Sequence, residues 1–212
     1  MRIVLASSNP GKLREFGAAL SDLGLELVAM AAVGLRALPQ ETGFSYAENA
    51  LLKAAAAALD SGLPALADDS GLEVEALGGA PGLYSARFGG EGLSDGERIA
   101  YLLSQLKETP REARAARFVS VMALAVPSGR FEVFEGSCTG TILPGPRGDG
   151  GFGYDPVFYS PELGKTFAEA DLSEKQRVSH RGRALAQLAA WLQQPSSWQV
   201  LRETVAPREP IG

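Results

Sequence analysis

The sequence predicts an α/β (α+β) fold built on a mixed central sheet flanked by helices. Helical and strand patterns alternate in the first part of the chain, and a meander of strand patterns fills the middle. The length of 212 residues suits one domain, 1–212, arranged as two lobes with a cleft between them. A chain of this size buries a full core without staples.

Residues 2–6 (RIVLA) read as a short buried strand. Ser7-Ser8-Asn9-Pro10-Gly11 is a turn, and a helix follows with Leu13, Phe16, Leu20 and Leu23 near a helical period. Asn9 suits the cap of that helix and Pro10 its first position. Residues 26–38 hold a second strand and a loop. Ala47 to Leu59 is alanine-rich and reads as a helix. Pro64 to Ala67 is a short strand ending at Asp68-Asp69-Ser70-Gly71. Ser94 and Glu97 form a capping-box pattern for a helix through Leu106. Residues 117–126 form a strand, Pro127-Ser128-Gly129 a turn, and 130–136 the return strand. A third strand is expected over 137–143, then a glycine-rich segment from Gly145 to Gly153, then a strand over Pro156–Tyr159. Ser179 caps a last helix with Leu185, Leu188, Ala189 and Leu192 on one face. The tail from about residue 202 is polar, and we expect it to be loose.

Composition narrows the function classes. The hydrophobic share of 45% and charged share of 21% are those of a globular protein. The net charge of -5 argues against a nucleic-acid partner, which selects a basic surplus. It leaves room for a small anion held by local basic groups. Cys138 is the only cysteine, so an intrachain disulfide and a multi-thiolate metal site are excluded. The apolar run after Arg2 is too short for a signal-peptide core, and no stretch reaches the length of a membrane span. The chain therefore reads as soluble and cytoplasmic.

Four segments carry chemistry, and each fits two readings. Ser7 to Lys12 opens a helix, where backbone N–H groups and a partial positive charge favour phosphate. Lys12 opposes the helix dipole there, so it is either a phosphate ligand or a solvated lysine beside an ordinary cap. Asp68 and Asp69 are adjacent acids at a strand end, which are costly to hold together without a cation. With Glu41 they offer the oxygen ligands that magnesium takes, or they form an Asx-type turn with surface acids. Gly150 to Pro156 sets three glycines around Phe152, with Tyr154 beside it. It is a flat-ligand platform, where an aromatic ring stacks on a base, or a hairpin turn with a core aromatic. Lys175 to Arg183 (KQRVSHRGR) contains the only histidine, His180, and is an anion site at a helix start or a solvated basic face.

Taken together in order, these segments resemble the inosine triphosphatase family of nucleoside triphosphate pyrophosphatases. The resemblance runs through LASSNPGKLREF at 5–16, ETGFSYAENALLKA at 41–54 and ALADDSGLEVEALGGAPGLYSARF at 65–88. It continues through GGFGYDPVF at 150–158 and EKQRVSHRGRAL at 174–185. It implies hydrolysis of inosine, deoxyinosine and xanthosine triphosphates to monophosphate and pyrophosphate, with magnesium as cofactor and a homodimer as the assembly. By motif position, Asp69 resembles the family's general base. Glu41 and Asp69, with Asp68 beside them, resemble its metal-side carboxylates. Ser7, Ser8, Asn9, Pro10, Gly11 and Lys12 resemble its phosphate cradle, and Lys53 a lysine facing the phosphates. Ser70, Phe152, Gly153, Tyr154, Asp155, Lys175, His180 and Arg181 resemble its nucleotide contacts. Two other classes stand beside this one: a different nucleotide enzyme, and a non-catalytic nucleotide-binding module. Three acids beside an anion site argue against the second.

Overall fold

A computed structural model describes residues 1–20 and 24–203 of the chain. Leu23 and most of the tail expected to be loose lie outside the described residues. Seven strands form one mixed sheet in the order β2-β1-β3-β4-β5-β6-β7. Strand β1 (Arg2–Leu5) pairs in parallel with both β2 (Glu26–Ala29) and β3 (Ala65–Val74). Strands β4 (Ala115–Ala125) and β5 (Phe131–Ile142) follow, then β6 (Phe158–Ser160) and β7 (Lys165–Thr166). The β5–β6 and β6–β7 pairs are antiparallel. The helices are α1 (Pro10–Leu20), α2 (Tyr46–Ser61), α3 (Asp95–Gln105), α4 (Leu172–Val178), α5 (His180–Leu192) and α6 (Pro195–Val200). Among the described residues, no helix is long and apolar enough to cross a membrane.

The chain divides into two compact units. One comprises Met1–Asp69, Val121–Phe134 and Leu185–Gly212. Its core sets Val4 and Ala6 of the β1 end, Ala65 and Ala67 of β3, and Ala123 and Ala125 of β4 with Ala50, Ala54, Ala57 and Ala58 of α2. Small side chains let a helix lie close to a sheet. The other unit comprises Ser70–Ser120 and Glu135–Ala184. Its core is larger-grained, with Leu72, Leu102, Phe118, Phe158 and Phe167.

Four expectations need correction. Asp68 to Gly71 do not form a turn: β3 continues through them to Val74. Pairing with β1 covers only Ala65 and Leu66, so beyond them the strand runs beside its other neighbour, β4, and sheet context overrides local turn propensity; Leu72 and Val74 are fully buried while Glu73 between them is not. The strands expected over 130–136 and 137–143 are one, β5, whose buried residues alternate from Phe134 to Ile142. Gly136 and Gly140 make that run look broken. Each allows a close backbone approach: a Cβ on Gly136 would lie 2.1 Å from the His180 carbonyl oxygen, and one on Gly140 2.4 Å from that of Tyr159. Helix α4 stands where no element was expected, between the strand predicted over Pro156–Tyr159 and the helix capped by Ser179. Asp171 and Glu174 close a capping box across its first turn. Helix α6 follows Pro195, and Glu203 is tied to Ser128 and Arg130, so the chain is anchored at least that far.

Candidate active site

In the first unit two lysines gather the acids. Asn9 caps α1, its side-chain oxygen accepting from the Gly11 and Lys12 amides at 2.8 and 3.2 Å, while the Ser7 hydroxyl accepts from the Asn9 amide. Two first-turn amides of the expected cradle are therefore engaged within the chain. The Lys12 side chain is half-buried and paired rather than free in solvent. Its Nζ lies 2.6 Å from Asp68 Oδ2 and 3.2 Å from the Asp68 carbonyl oxygen. Lys53, on the buried stripe of α2, reaches the same carbonyl at 2.9 Å, Glu41 Oε1 at 2.6 Å and Asp69 Oδ1 at 3.7 Å.

Asp69 is buried, and that burial pushes its carboxyl above the ordinary range. Lys53 opposes the shift and the Glu41 charge adds to it. Asn49, absent from the sequence-based set, donates from Nδ2 to Asp69 Oδ2 at 3.0 Å. A signal for it exists: Asn49 shares the buried face of α2 with Ala50, Lys53, Ala54 and Ala57, where a polar residue demands a reason.

The acids bear on the expected metal. Among the described residues no three of His, Cys, Asp and Glu gather closely enough to hold one ion. Asp68 is turned to Lys12, whereas Glu41 and Asp69 share the Lys53 ammonium. Two carboxylates already converging on one cation, with no nitrogen or sulfur ligand, fit a hard divalent ion that keeps water and phosphate oxygens as its other ligands.

In the second unit the basic and aromatic residues meet. Arg181, in the first turn of α5, donates to the Ser70 hydroxyl at 2.9 Å. Asp155 Oδ2 accepts from Lys175 Nζ at 2.5 Å and from the Phe152 amide at 2.9 Å. The Lys175 ammonium and Arg181 guanidinium stand 5.0 and 5.1 Å from the centre of the Phe152 ring. The Gly153 amide donates to Asp95 Oδ2 at 2.6 Å, tying the loop to the start of α3. Tyr154 is a core residue, its hydroxyl donating to the Ser85 carbonyl at 2.9 Å, so the half-buried Phe152 is the ring left for stacking on a flat ligand. Ser179 does cap α5, accepting from the Gly182 amide. His180 is buried, stacked on Phe118 at 4.6 Å, with Nδ1 3.9 Å from Cys138 Sγ.

The sequence profile of the Ham1 family matches residues 3–191. A Thermus thermophilus protein named dITP/XTP pyrophosphatase is 58% identical over 188 residues, covering 89% of this chain and 90% of its own. The chain belongs to the Ham1 family. A Deinococcus radiodurans protein of the same name is 52% identical over 189 residues, covering 89% of this chain and 92% of that one. The solved HAM1 protein from Coxiella burnetii superposes with a TM-score of 0.82 at 42% identity, over 91% of this chain and 98% of that one. The mixed sheet with flanking helices is thus the Ham1 architecture, and the resemblance read from the ordered motifs holds. In this Ham1 chain Phe118 is a second residue that the sequence did not single out. It lies mid-strand in an apolar run, where nothing local marks it as the platform under His180.

Proposed function

We propose that this chain hydrolyses non-canonical purine nucleoside triphosphates (ITP, dITP and XTP) to the monophosphate and pyrophosphate, with magnesium, as a cytoplasmic homodimer that cleans the nucleotide pool. One observation carries the reading: Glu41 and Asp69 converge on the Lys53 ammonium, and Asp68, next to Asp69 on β3, is paired with Lys12 of α1. The relatives named dITP/XTP pyrophosphatase supply the substrate class.

Glu41 and Asp69 would hold the magnesium, which when bound neutralises charge on the phosphate chain. Lys12 and Lys53 lie beside the carboxylates and carry the positive charge that a polyphosphate requires. Asp69 would orient or deprotonate the attacking water. Attack on the α-phosphorus forms the new P–O bond, and pyrophosphate leaves with the electron pair of the broken anhydride.

For the base, the second unit offers cationic donors and one ring. Basic or backbone donors near His180 and Arg181 would favour a 6-keto acceptor over a 6-amino group, which offers them a donor instead. Phe152 supplies the stacking face.

Pyrophosphate release from a panel of purine triphosphates, with and without magnesium, tests the reading. Release from ITP, dITP and XTP, at least a hundredfold above ATP and lost on chelation, is the expected outcome. Orthophosphate as the first product overturns it. In oxygen-18 water the label belongs in the monophosphate; label in pyrophosphate excludes attack at the α-phosphorus.

A further inference from the structure

The helix-buried amide of Asn49 joins two pieces of chain that both carry acids. Asn49 is the fourth residue of α2 and is 2% exposed. Its Oδ1 accepts from the Gly43 backbone amide at 2.8 Å, and its Nδ2 donates to Asp69 Oδ2 at 3.0 Å. A backbone N–H can only donate, so Gly43 fixes which end of the amide is oxygen. The nitrogen must then face Asp69, and it can only donate to it. Asparagine is a poor residue for a helix interior, because its side chain competes for backbone partners. Here it makes such a bond, backward across the helix start.

Gly43 is fitted to this contact. A Cβ there would lie 2.7 Å from Asn49 Oδ1 and 2.7 Å from Glu48 Cβ. Any side chain at 43 pushes the Asn49 amide away. Glu41 lies two residues before Gly43 on the same loop, so the bond that sets Gly43 also sets where the Glu41 carboxylate starts.

We infer that Asn49 is a positioning residue that locks the Asp69 carboxylate and the Glu41 loop into one geometry, so that both carboxylates address the same cation. The inference rests on Glu41 and Asp69 being the metal-side pair proposed above. With Oδ2 held by Asn49, the other oxygen, Oδ1, is the one turned toward Lys53 at 3.7 Å. Supporting partners of this kind set ligand orientation, and their loss typically costs about tenfold to a hundredfold in metal affinity or activity.

The test uses the full chain with Asn49→Ala, Gly43→Ala and the double variant, and Asp69→Asn as reference. Circular dichroism and thermal melts establish that each is folded. Two quantities are read: binding of Mn2+ alone, by electron paramagnetic resonance without nucleotide, and kcat and KM for pyrophosphate release from dITP. We expect Asn49→Ala to weaken Mn2+ binding and lower kcat by about tenfold or more, with KM for dITP within about threefold. Gly43→Ala shifts both in the same direction, and the double variant is no worse than Asn49→Ala alone, because both act through one contact. A purely structural asparagine lowers the melting midpoint but leaves kcat per folded molecule and Mn2+ affinity unchanged, and that result overturns the inference. If Asn49→Ala does not fold, Gly43→Ala decides, since it lies in a partly exposed loop and displaces the same amide. Wild-type Mn2+ affinity and kcat in Gly43→Ala likewise overturn it. If Asp69→Asn retains both as well, the carboxylate pair itself is misassigned; if Asp69→Asn loses them, only the role of Asn49 fails.

Discussion

Desolvation raises the Asp69 carboxyl above its ordinary value of 3.8, with Lys53 and Asn49 pulling it back and Glu41 pushing it further up. The folded chain therefore holds that proton more tightly than the unfolded chain. Stability from this group is present at low pH and is lost as pH rises through the folded-state value. Asp69→Asn should then do two opposite things at neutral pH without divalent metal: abolish turnover and raise the melting midpoint, at about 2–4 °C for each kcal/mol relieved. Calorimetry of the two proteins side by side checks this, and a lowered midpoint contradicts it. Most residues of the first cluster were legible in the sequence because charge is conspicuous: Lys12, Glu41, Asp68 and Asp69 stand out where local structure does not need them, whereas Lys53 was singled out by the family resemblance alone. Asn49 carries a signal as a polar residue on the alanine face of α2, but its partner Asp69 is not legible from that face, and Phe118, a phenylalanine in an apolar strand, carries no signal at all.

The elements that matter most to the site were legible where a short-range signal set them and obscure where pairing set them. The caps of α1 and α3 were predictable from Asn9, Ser94 and Glu97. The box from Asp171 to Glu174 carries the same signal for α4, a short helix that was not predicted from the sequence. The course of β3 through two aspartates was not predictable, since its stability comes from neighbouring strands. Gly136 shows how closely α5 is seated. Its Cβ position lies within 2.1 Å of the His180 carbonyl oxygen and 2.6 Å of the Ala184 amide, both backbone atoms that cannot swing away. Gly136→Ala should destabilise the protein by about 1–3 kcal/mol, as overpacking does. It should also raise KM for dITP more than it lowers kcat, because it displaces the helix start that carries His180 and Arg181 and leaves Asp69 alone. Chemical denaturation and steady-state kinetics on one preparation measure both, and an unchanged KM speaks against the coupling.

Across the whole molecule, each unit carries its own core and its own reporter. Both tryptophans, Trp191 and Trp198, belong to the first unit, and the only cysteine belongs to the second. Burial pushes the Cys138 thiol up to about 11, so the native protein should resist alkylation at pH 8 and react only when the second unit opens. Strands β3, β4 and β5 each give residues to both units. Tryptophan fluorescence and thiol labelling should accordingly report one coincident unfolding transition in urea; two separated midpoints contradict a shared transition. Where one unit ends and the other begins was beyond the sequence, because each unit is assembled from separated stretches. The ammonium groups of Lys12 and Lys53 also share the carbonyl oxygen of residue 68, a ligand that no codon change at that position can delete. Even proline would retain it. A survey of tolerated amino acids would rank position 68 by its side chain alone, and would miss that its main chain is a fixed peg for both cations.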